Sequence, residues 1–508
     1  MWPAHSTEAD LAATPRDDVV AEQHDTDGGF SQAEGPFAEY RRVVSRQDDT
    51  VQQTVTYRLH IPWFGWLFEG PMRAALRRRR PPGSRPPWWS PPDRLTPRQV
   101  LVLGLLASAS LSATFINTLF TQTANFAADD FGISSGGQGF GGVVVRLGVV
   151  IAIPFAMLAD RRGRRTMIII VAWLAPLFAA LGALAPNFWT LVATQSIGRP
   201  LSLALALLIG VVVTEEMPRN SRTYALSVLA LAGGLGAGVA VAALPLADLG
   251  AGGWRFVYVI ALLWLVVAAD LTRSLPETHR FETHQLETHQ FETGGPGTSH
   301  RAAPRLRRRR FATIATVAVA ANLFVAPASF FQNRYLDDVR GFSASSIMVF
   351  TFMTATPASI GLVAGGRIAD IVGRRRVLIT CMPVATAMLV MSFSVGGPLM
   401  WLGALLGGLA SGLAYPAFAI YRTEMFPTGN RSTVNGWITA ISLAGSSIGL
   451  VIAGQLIDSG WTYGSVMLTL GAGQIVAAVL AYVAYPETAH LTLEEINPED
   501  PALSTEGT

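Results

Sequence analysis

Residues 366–376 read Gly366-Arg367-Ile368-Ala369-Asp370-Ile371-Val372-Gly373-Arg374-Arg375-Arg376, between two long apolar runs at 344–368 and 377–395. An apolar run of about 20 residues is long enough to cross the hydrocarbon core of a bilayer as a helix. The stretch therefore reads as a tight loop between two membrane helices. Gly373 lets the chain turn at positive φ without a Cβ penalty. The arginines stay on the cytoplasmic side by the positive-inside bias. Asp370 is placed to meet an arginine or the N-terminus of a neighbouring helix. An earlier copy reads Ala156-Met157-Leu158-Ala159-Asp160-Arg161-Arg162-Gly163-Arg164-Arg165.

The two copies stand 210 residues apart, Asp160 to Asp370. Glu215-x-x-Pro218-x-x-x-Arg222 pairs with Glu424-x-x-Pro427-x-x-x-Arg431 at an offset of 209, and Pro276-Glu277-Thr278 with Pro486-Glu487-Thr488 at 210. Three ordered markers at one spacing indicate an internal duplication, the sequence sign of two related halves.

Composition agrees. The chain has 508 residues, 50% hydrophobic and 14% charged, whereas a soluble protein carries about a quarter charged residues. All 38 basic residues are arginine, a bias through the whole chain that reflects coding composition. The single Cys381 excludes an internal disulfide framework and reads as a small buried hydrophobe. Met1 to Asp10 has no apolar core, so the first span is expected to drive membrane insertion. Twelve runs qualify as spans: 99–127, 138–159, 166–185, 188–214, 223–246, 254–273, 311–336, 344–368, 377–395, 398–423, 432–456 and 462–485. Arginines crowd the even-to-odd turns and the middle loop, while Asp129, Asp130, Asp248, Asp337, Asp338 and Asp458 occupy the opposite turns. Both termini are therefore expected in the cytoplasm.

The chain divides into an acidic tail (1–50) expected to be disordered, a basic, aromatic and proline-rich segment (51–98), a first six-helix half (99–273), a middle loop (274–310), a second half (311–486) and a cytoplasmic tail (487–508). The first tail carries eleven acids against four arginines and few large apolar residues. In the next segment Val55, Tyr57, Leu59 and Ile61 alternate with polar residues and predict a short extended stretch. Pro62 to Phe68 followed by Arg77 to Arg80 suits a segment lying on the membrane surface. The middle loop repeats Glu-Thr-His every five residues through His279, His284 and His289. A five-residue step scatters those imidazoles around a helix, so the loop reads as a solvated linker and no metal is expected.

The Gly366–Arg376 stretch and its copy resemble the loop 2–3 signature of the major facilitator superfamily, Gly-x-Leu-Ala-Asp-Arg-x-Gly-Arg-Arg. The Glu-x-x-Pro-x-x-x-Arg pair and the ending Pro486-Glu487-Thr488-Ala489-His490-Leu491-Thr492-Leu493-Glu494-Glu495-Ile496 resemble the sugar porter and metabolite symporter branches. The likeness covers about 99–496 and implies an all-α membrane protein of twelve transmembrane helices in two six-helix halves. It implies a non-enzymatic carrier of a small organic solute in the plasma membrane, monomeric, in contact with lipid. It brings no cofactor and no nucleic-acid partner, and protons are the candidate coupling ion. It also implies a gating relay at the cytoplasmic face, in which Asp160, Arg164, Arg165, Glu215 and Arg222 form one copy and Asp370, Arg374, Arg375, Glu424 and Arg431 the other. Glu215 is expected near Arg164 or Arg165, with the pair loosening as that face opens.

In this superfamily solute binds between the halves near the midplane, where charges are costly and mark function. Arg146 lies about 12 Å into the second span, and Arg199 near mid-depth of the fourth, at roughly 1.5 Å per residue. No acid lies at that depth. Family members read Ala-Arg-x-x-Gln-Gly in the fourth span; here Gln195 takes the arginine position and Arg199 follows one turn on. Asn117 aligns with the acid of proton-coupled symporters, and an amide there does not titrate. Gln332-Asn333-Arg334-Tyr335 ends the seventh span as a polar cluster suited to solute or an outer gate. The expected binding residues are thus Asn117, Arg146, Gln195, Arg199, Gln332 and Asn333. Two unpaired arginines favour an anion; a drug or sugar–proton carrier is the alternative transporter, and a non-transporting membrane sensor or scaffold the alternative of another class.

Overall fold

The structure is a computed structural model that describes residues 14–25, 27–47, 50–78, 87, 89–91, 93–151, 154–155, 158–159, 163–218, 221–277, 308–426, 431–489 and 496. Asp160, the histidine repeat, Arg79 and Arg80 lie outside the described residues, as do the side chains of Arg222, Asp370, Glu424 and Arg431.

The described part of the N-terminal tail is folded, which corrects the expectation of disorder over 1–50. Four strands, β1 (Ala21–His24), β2 (Phe30–Glu34), β3 (Phe37–Gln47) and β4 (Thr50–Leu59), form an antiparallel sheet in sequence order. The long β3–β4 hairpin pairs Arg41 with Thr56 and Val43 with Thr54. Charge counting misses this fold because the charges neutralise one another inside it. The Glu22 carboxylate accepts from Arg42 Nε at 2.9 Å and Nη2 at 2.6 Å, from Tyr40 Oη at 2.6 Å and from the Arg16 backbone N at 2.7 Å. Burial alone would raise the Glu22 pKa, but these hydrogen bonds hold it below the ordinary carboxylate range. Helix α1 (Gly65–Arg77) lays Met72 and Leu76 on a small core with Val20 and Phe37. Arg16 Nη1 donates to the Leu76 carbonyl at 2.6 Å and ties the helix to the sheet.

The helical body follows. The first half comprises α2 (Pro97–Asp130), α3 (Ser135–Leu147), α4 (Arg164–Ala180), α5 (Phe188–Glu216), α6 (Arg222–Ala242), α7 (Trp254–Val259) and α8 (Leu265–Ser274). The second comprises α9 (Arg308–Phe330), α10 (Gln332–Asp338), α11 (Ala344–Val372), α12 (Arg374–Ser394), α13 (Gly397–Glu424), α14 (Arg431–Asp458) and α15 (Tyr463–Ala484). Among the described residues, eleven helices are long and apolar enough to cross a membrane. The expected second span is not one of them, because it is described only in pieces: α3, the short turn Gly148–Ile151, and residues 154–155 and 158–159. Helix α2 starts with a complete capping box: Thr96 accepts from the Gln99 N–H and Gln99 reaches back to the Thr96 N–H, with Pro97 between them.

The duplication has a physical counterpart at the loop motifs. Gly163 and Gly373 cap α4 and α12 at φ 95° and 113°, a conformation that other residues rarely adopt. Just past them, the Glu277 carboxylate accepts from the Arg165 N–H at 3.2 Å, and Glu487 from the Arg374 N–H at 2.8 Å. Arg165 Nη2 then donates to the Thr272 carbonyl at 3.0 Å, and Arg375 Nη2 to the carbonyl of Tyr482. The Pro-Glu-Thr pairs thus fasten the last helix of each half to its third.

The folded tail rests on the first half. Trp63 Nε1 donates to Asp270 at 2.8 Å, the Asp93 N–H to Ser221 Oγ at 2.9 Å, and Tyr224 Oη to the Trp89 carbonyl at 3.0 Å.

Replacing Glu22 by alanine is expected to cost about 3–5 kcal/mol, because Arg42 and Tyr40 lose their buried partner. Limited proteolysis should then cut residues 14–60 rapidly while the helical body keeps its melting temperature. Because the Glu22 pKa is depressed, the stabilisation is present at neutral pH. It is lost as pH falls through the folded value, which lies below the ordinary carboxylate range, so wild-type tail protection should fail in acid too.

Candidate functional site

Helix α2 threads the site and orders it in three layers. Asp129, Phe120 and Asn117 mark them, and at about 1.5 Å per residue the layers extend over roughly 18 Å.

The first layer joins the halves. Arg334 on α10 donates to Gln138 at 2.6 Å and pairs with Asp129 at 3.3 Å across the seam, and with Asp338 at 3.1 Å within its own helix. Asn333 Nδ2 donates to the Gln122 carbonyl at 2.8 Å and to its side-chain oxygen at 2.9 Å. Asn125 donates to Asp337 at 3.3 Å. Burial and the adjacent Asp338 charge raise the Asp337 pKa. Two carboxylates complete the closure by capping helices of the opposite half. Asp248 accepts from the N–H groups of Ala344 and Ser345 at 2.8 and 2.9 Å, at the start of α11. Asp458 accepts from the Gly136 N–H at 2.8 Å, at the start of α3. Asp248 and Asp458 are themselves 210 residues apart and so are copies of one cap.

The second layer is aromatic. The rings of Phe120 and Phe330 meet across the seam with centroids 6.1 Å apart, and Phe330 contacts Phe331 at 5.5 Å. This layer separates the polar latch from what lies beneath.

The third layer holds the two arginines. Gly148 permits it: a Cβ there would sit 2.5 Å from the Ser196 carbonyl, so the second span lies directly on α5. Arg146 and Arg199 lie on the two helices that this approach brings together. Arg199 Nε donates to Asn117 Oδ1 at 2.8 Å. Among the described residues neither arginine has a carboxylate partner, and the buried Arg146 Nε has no hydrogen-bond partner. Gln195 is turned away: it is fully buried and donates to the Ala179 carbonyl at 3.1 Å, on the third span. Asn333 serves the latch, and Gln332 is half-buried beside it on α10. The structure therefore brings Asn117, Arg146 and Arg199 together and leaves Gln195 and Asn333 elsewhere. The latch residues Asp129, Gln138, Asp248 and Asp458 were legible only as acids or amides near helix ends.

At the other end Arg164 pairs with Glu215 at 2.8 Å. Both belong to the first half, so the pair staples α4 to α5. The pair is intact in this structure. Arg165 and Arg374 serve the carboxylate caps described above.

The profile described as "MFS_1 like family" matches residues 139–464. No curated protein matches the sequence significantly. Among solved structures, an inward-facing, unoccupied bacterial homolog of the human lysosomal transporter Spinster is 18% identical, covering 77% of this chain and 97% of that one, with a TM-score of 0.62. The inward-open xylose transporter XylE from E. coli is 15% identical over 78% of this chain and 99% of its own, with a TM-score of 0.63. The nucleoside transporter NupG is 13% identical over 76% and 100%, with a TM-score of 0.61. These likenesses establish the two-half helical fold.

A carboxylate at a helix N-terminus contributes about 0.3–1 kcal/mol. Replacing Asp248 and Asp458 together by asparagine should therefore weaken closure at the latch. Spin labels at the exposed Leu249 and Trp461, in a Cys381→Ser background, should gain a longer-distance population that each single change produces only in part. An unchanged distance distribution would remove the caps from the closure.

Proposed function

This chain belongs to the MFS_1-like family, and on that premise we propose that it is a secondary transporter moving a small organic anion by alternating access. The observation that carries the reading is the pair of arginines on adjoining helices, Arg199 held by Asn117 and neither with a carboxylate partner among the described residues. An uncompensated buried charge is costly. A bound anion removes that cost, and a guanidinium fork matches a carboxylate through two parallel hydrogen bonds. Asn117 holds Arg199 by Nε, which leaves the terminal nitrogens of its fork for the solute. A neutral sugar offers no such compensation.

We read the latch as the extracellular end, because arginines concentrate at the opposite one. The state described is then closed outside, with the arginine layer reached from the cytoplasm. The reading includes twelve spans, both termini in the cytoplasm and the plasma membrane as the site of action. Protons are a candidate coupling ion, although Asn117 supplies no titrating group. The gating role expected of Arg164 and Glu215 belongs to the same reading, with the pair made in this state.

A thermal-shift screen of the purified protein against organic acids, sugars and drugs should select a carboxylate. Arg199→Gln should then weaken its binding about tenfold to a hundredfold, the worth of a charged hydrogen bond, with Arg199→Lys recovering only part. Asn117→Asp supplies an internal carboxylate to Arg199 and should abolish anion binding while the protein remains folded and inserted. Normal anion transport by both Arg199→Gln and Asn117→Asp would refute the anion reading and leave a neutral or cationic solute.

A further inference from the structure

A cavity of about 620 Å³ lies where the folded tail meets the helical body, apart from the arginine layer. Its volume falls within the range of about 300–1,000 Å³ usual for ligand sites. The tail wall is apolar: Phe64, Leu67, Phe68 and Met72. The opposite wall consists of Val100, Leu103 and Ala107 on α2 and Val228, Leu231 and Leu235 on α6. At roughly 1.5 Å per residue, lining residues from Val100 to Ala107 cover about 10 Å of α2, and those from Tyr224 to Leu235 about 17 Å of α6. Measured from those helix ends, the wall reaches about halfway through a hydrocarbon core of roughly 30 Å, the depth of one leaflet.

The cavity is open on its membrane side. Leu231 is 70% exposed and Leu235 49%, although both line it. Trp63 and Trp66, just before and on the same helix as Leu67, are 44% and 72% exposed. Exposed tryptophans next to a lateral apolar opening are side chains suited to the headgroup level of a bilayer. The polar end of the lining carries Asp17, Asp18, Glu34 and Asp93 against Arg94. Arg94 is paired with Asp17, and Asp18 with Arg16, so Glu34 adds negative charge at an exposed position.

We propose that this cavity holds one acyl chain of a membrane phospholipid whose headgroup bears a primary amine. The chain enters sideways past Leu231 and Leu235 and lies between α1 and α6. The ammonium sits at the carboxylates around Glu34, where an anionic headgroup would be repelled. A lipid so bound is a structural joint between the tail and the first half, independent of which solute the arginine layer takes.

The test uses the full chain, purified, delipidated and exchanged into vesicles of phosphatidylethanolamine or phosphatidylglycerol, followed by native mass spectrometry. One phosphatidylethanolamine per chain should be retained, at least tenfold over phosphatidylglycerol. Val228→Trp and Ala107→Phe, which fill the cavity from its two helical walls, should each lower that retention about tenfold. In wild-type protein, a phosphatidylethanolamine with a photoreactive acyl chain should label peptides containing Leu67, Leu103 or Val228, which keeps the idea testable if either variant misfolds. Labelling confined to other peptides, equal retention of both lipids, or unchanged retention in well-folded filled variants would each overturn it.

Discussion

The structure depends on carboxylates placed at the positive ends of helices. Glu277 and Glu487 cap the third helix of their own halves, and Asp248 and Asp458 cap a helix of the opposite half. Both pairs obey the same 210-residue repeat. The first pair keeps each half a unit, and the second decides whether the halves touch at the latch. In a membrane-length protein, unsatisfied N–H groups at helix ends are expensive and the partial positive charge there is fixed. One device, used twice in each of two roles, therefore fastens helices within each half and ties the two halves to each other.

Much of the fold was legible because membrane burial imposes a coarse, length-based code. Helix α2 begins within two residues of the expected run, and Thr96-Pro97-Arg98-Gln99 announces its start. The loop glycines at 163 and 373 take the positive φ that their sequence context demanded. The tail was misread because composition counts charges without knowing their partners. Arg42 and Glu22 register as two reasons for disorder, yet their side chains are fully buried against each other at 2.6 Å.

The site was legible in its charged members and not in its orientation. Arg146 and Arg199 stood out because nothing at their depth neutralises them, and Asn117 because of where it falls along the first span. Gln195 and Arg199 share a helix face to within a turn, but the exact roll of α5 turns Gln195 towards Ala179 and Arg199 towards Asn117. That rotation is set by contacts such as Gly148 on Ser196, which involve distant parts of the chain. The same holds for Asp248 and Asp458, whose capping role needs a helix end from the other half.

The tail touches the body through Trp63, Trp89 and Asp93, and their partners Asp270, Tyr224 and Ser221 all lie in the first half. Its β3–β4 hairpin has an 11-residue strand, about 35 Å long at roughly 3.4 Å per residue. Mechanically this is a lever arm bolted to one of the two halves. A tilt of a few degrees between the halves is small at the pivot but large at the hairpin tip as seen from the second half. Anything that grips the tip would therefore hold mechanical advantage over any movement of the first half against the second.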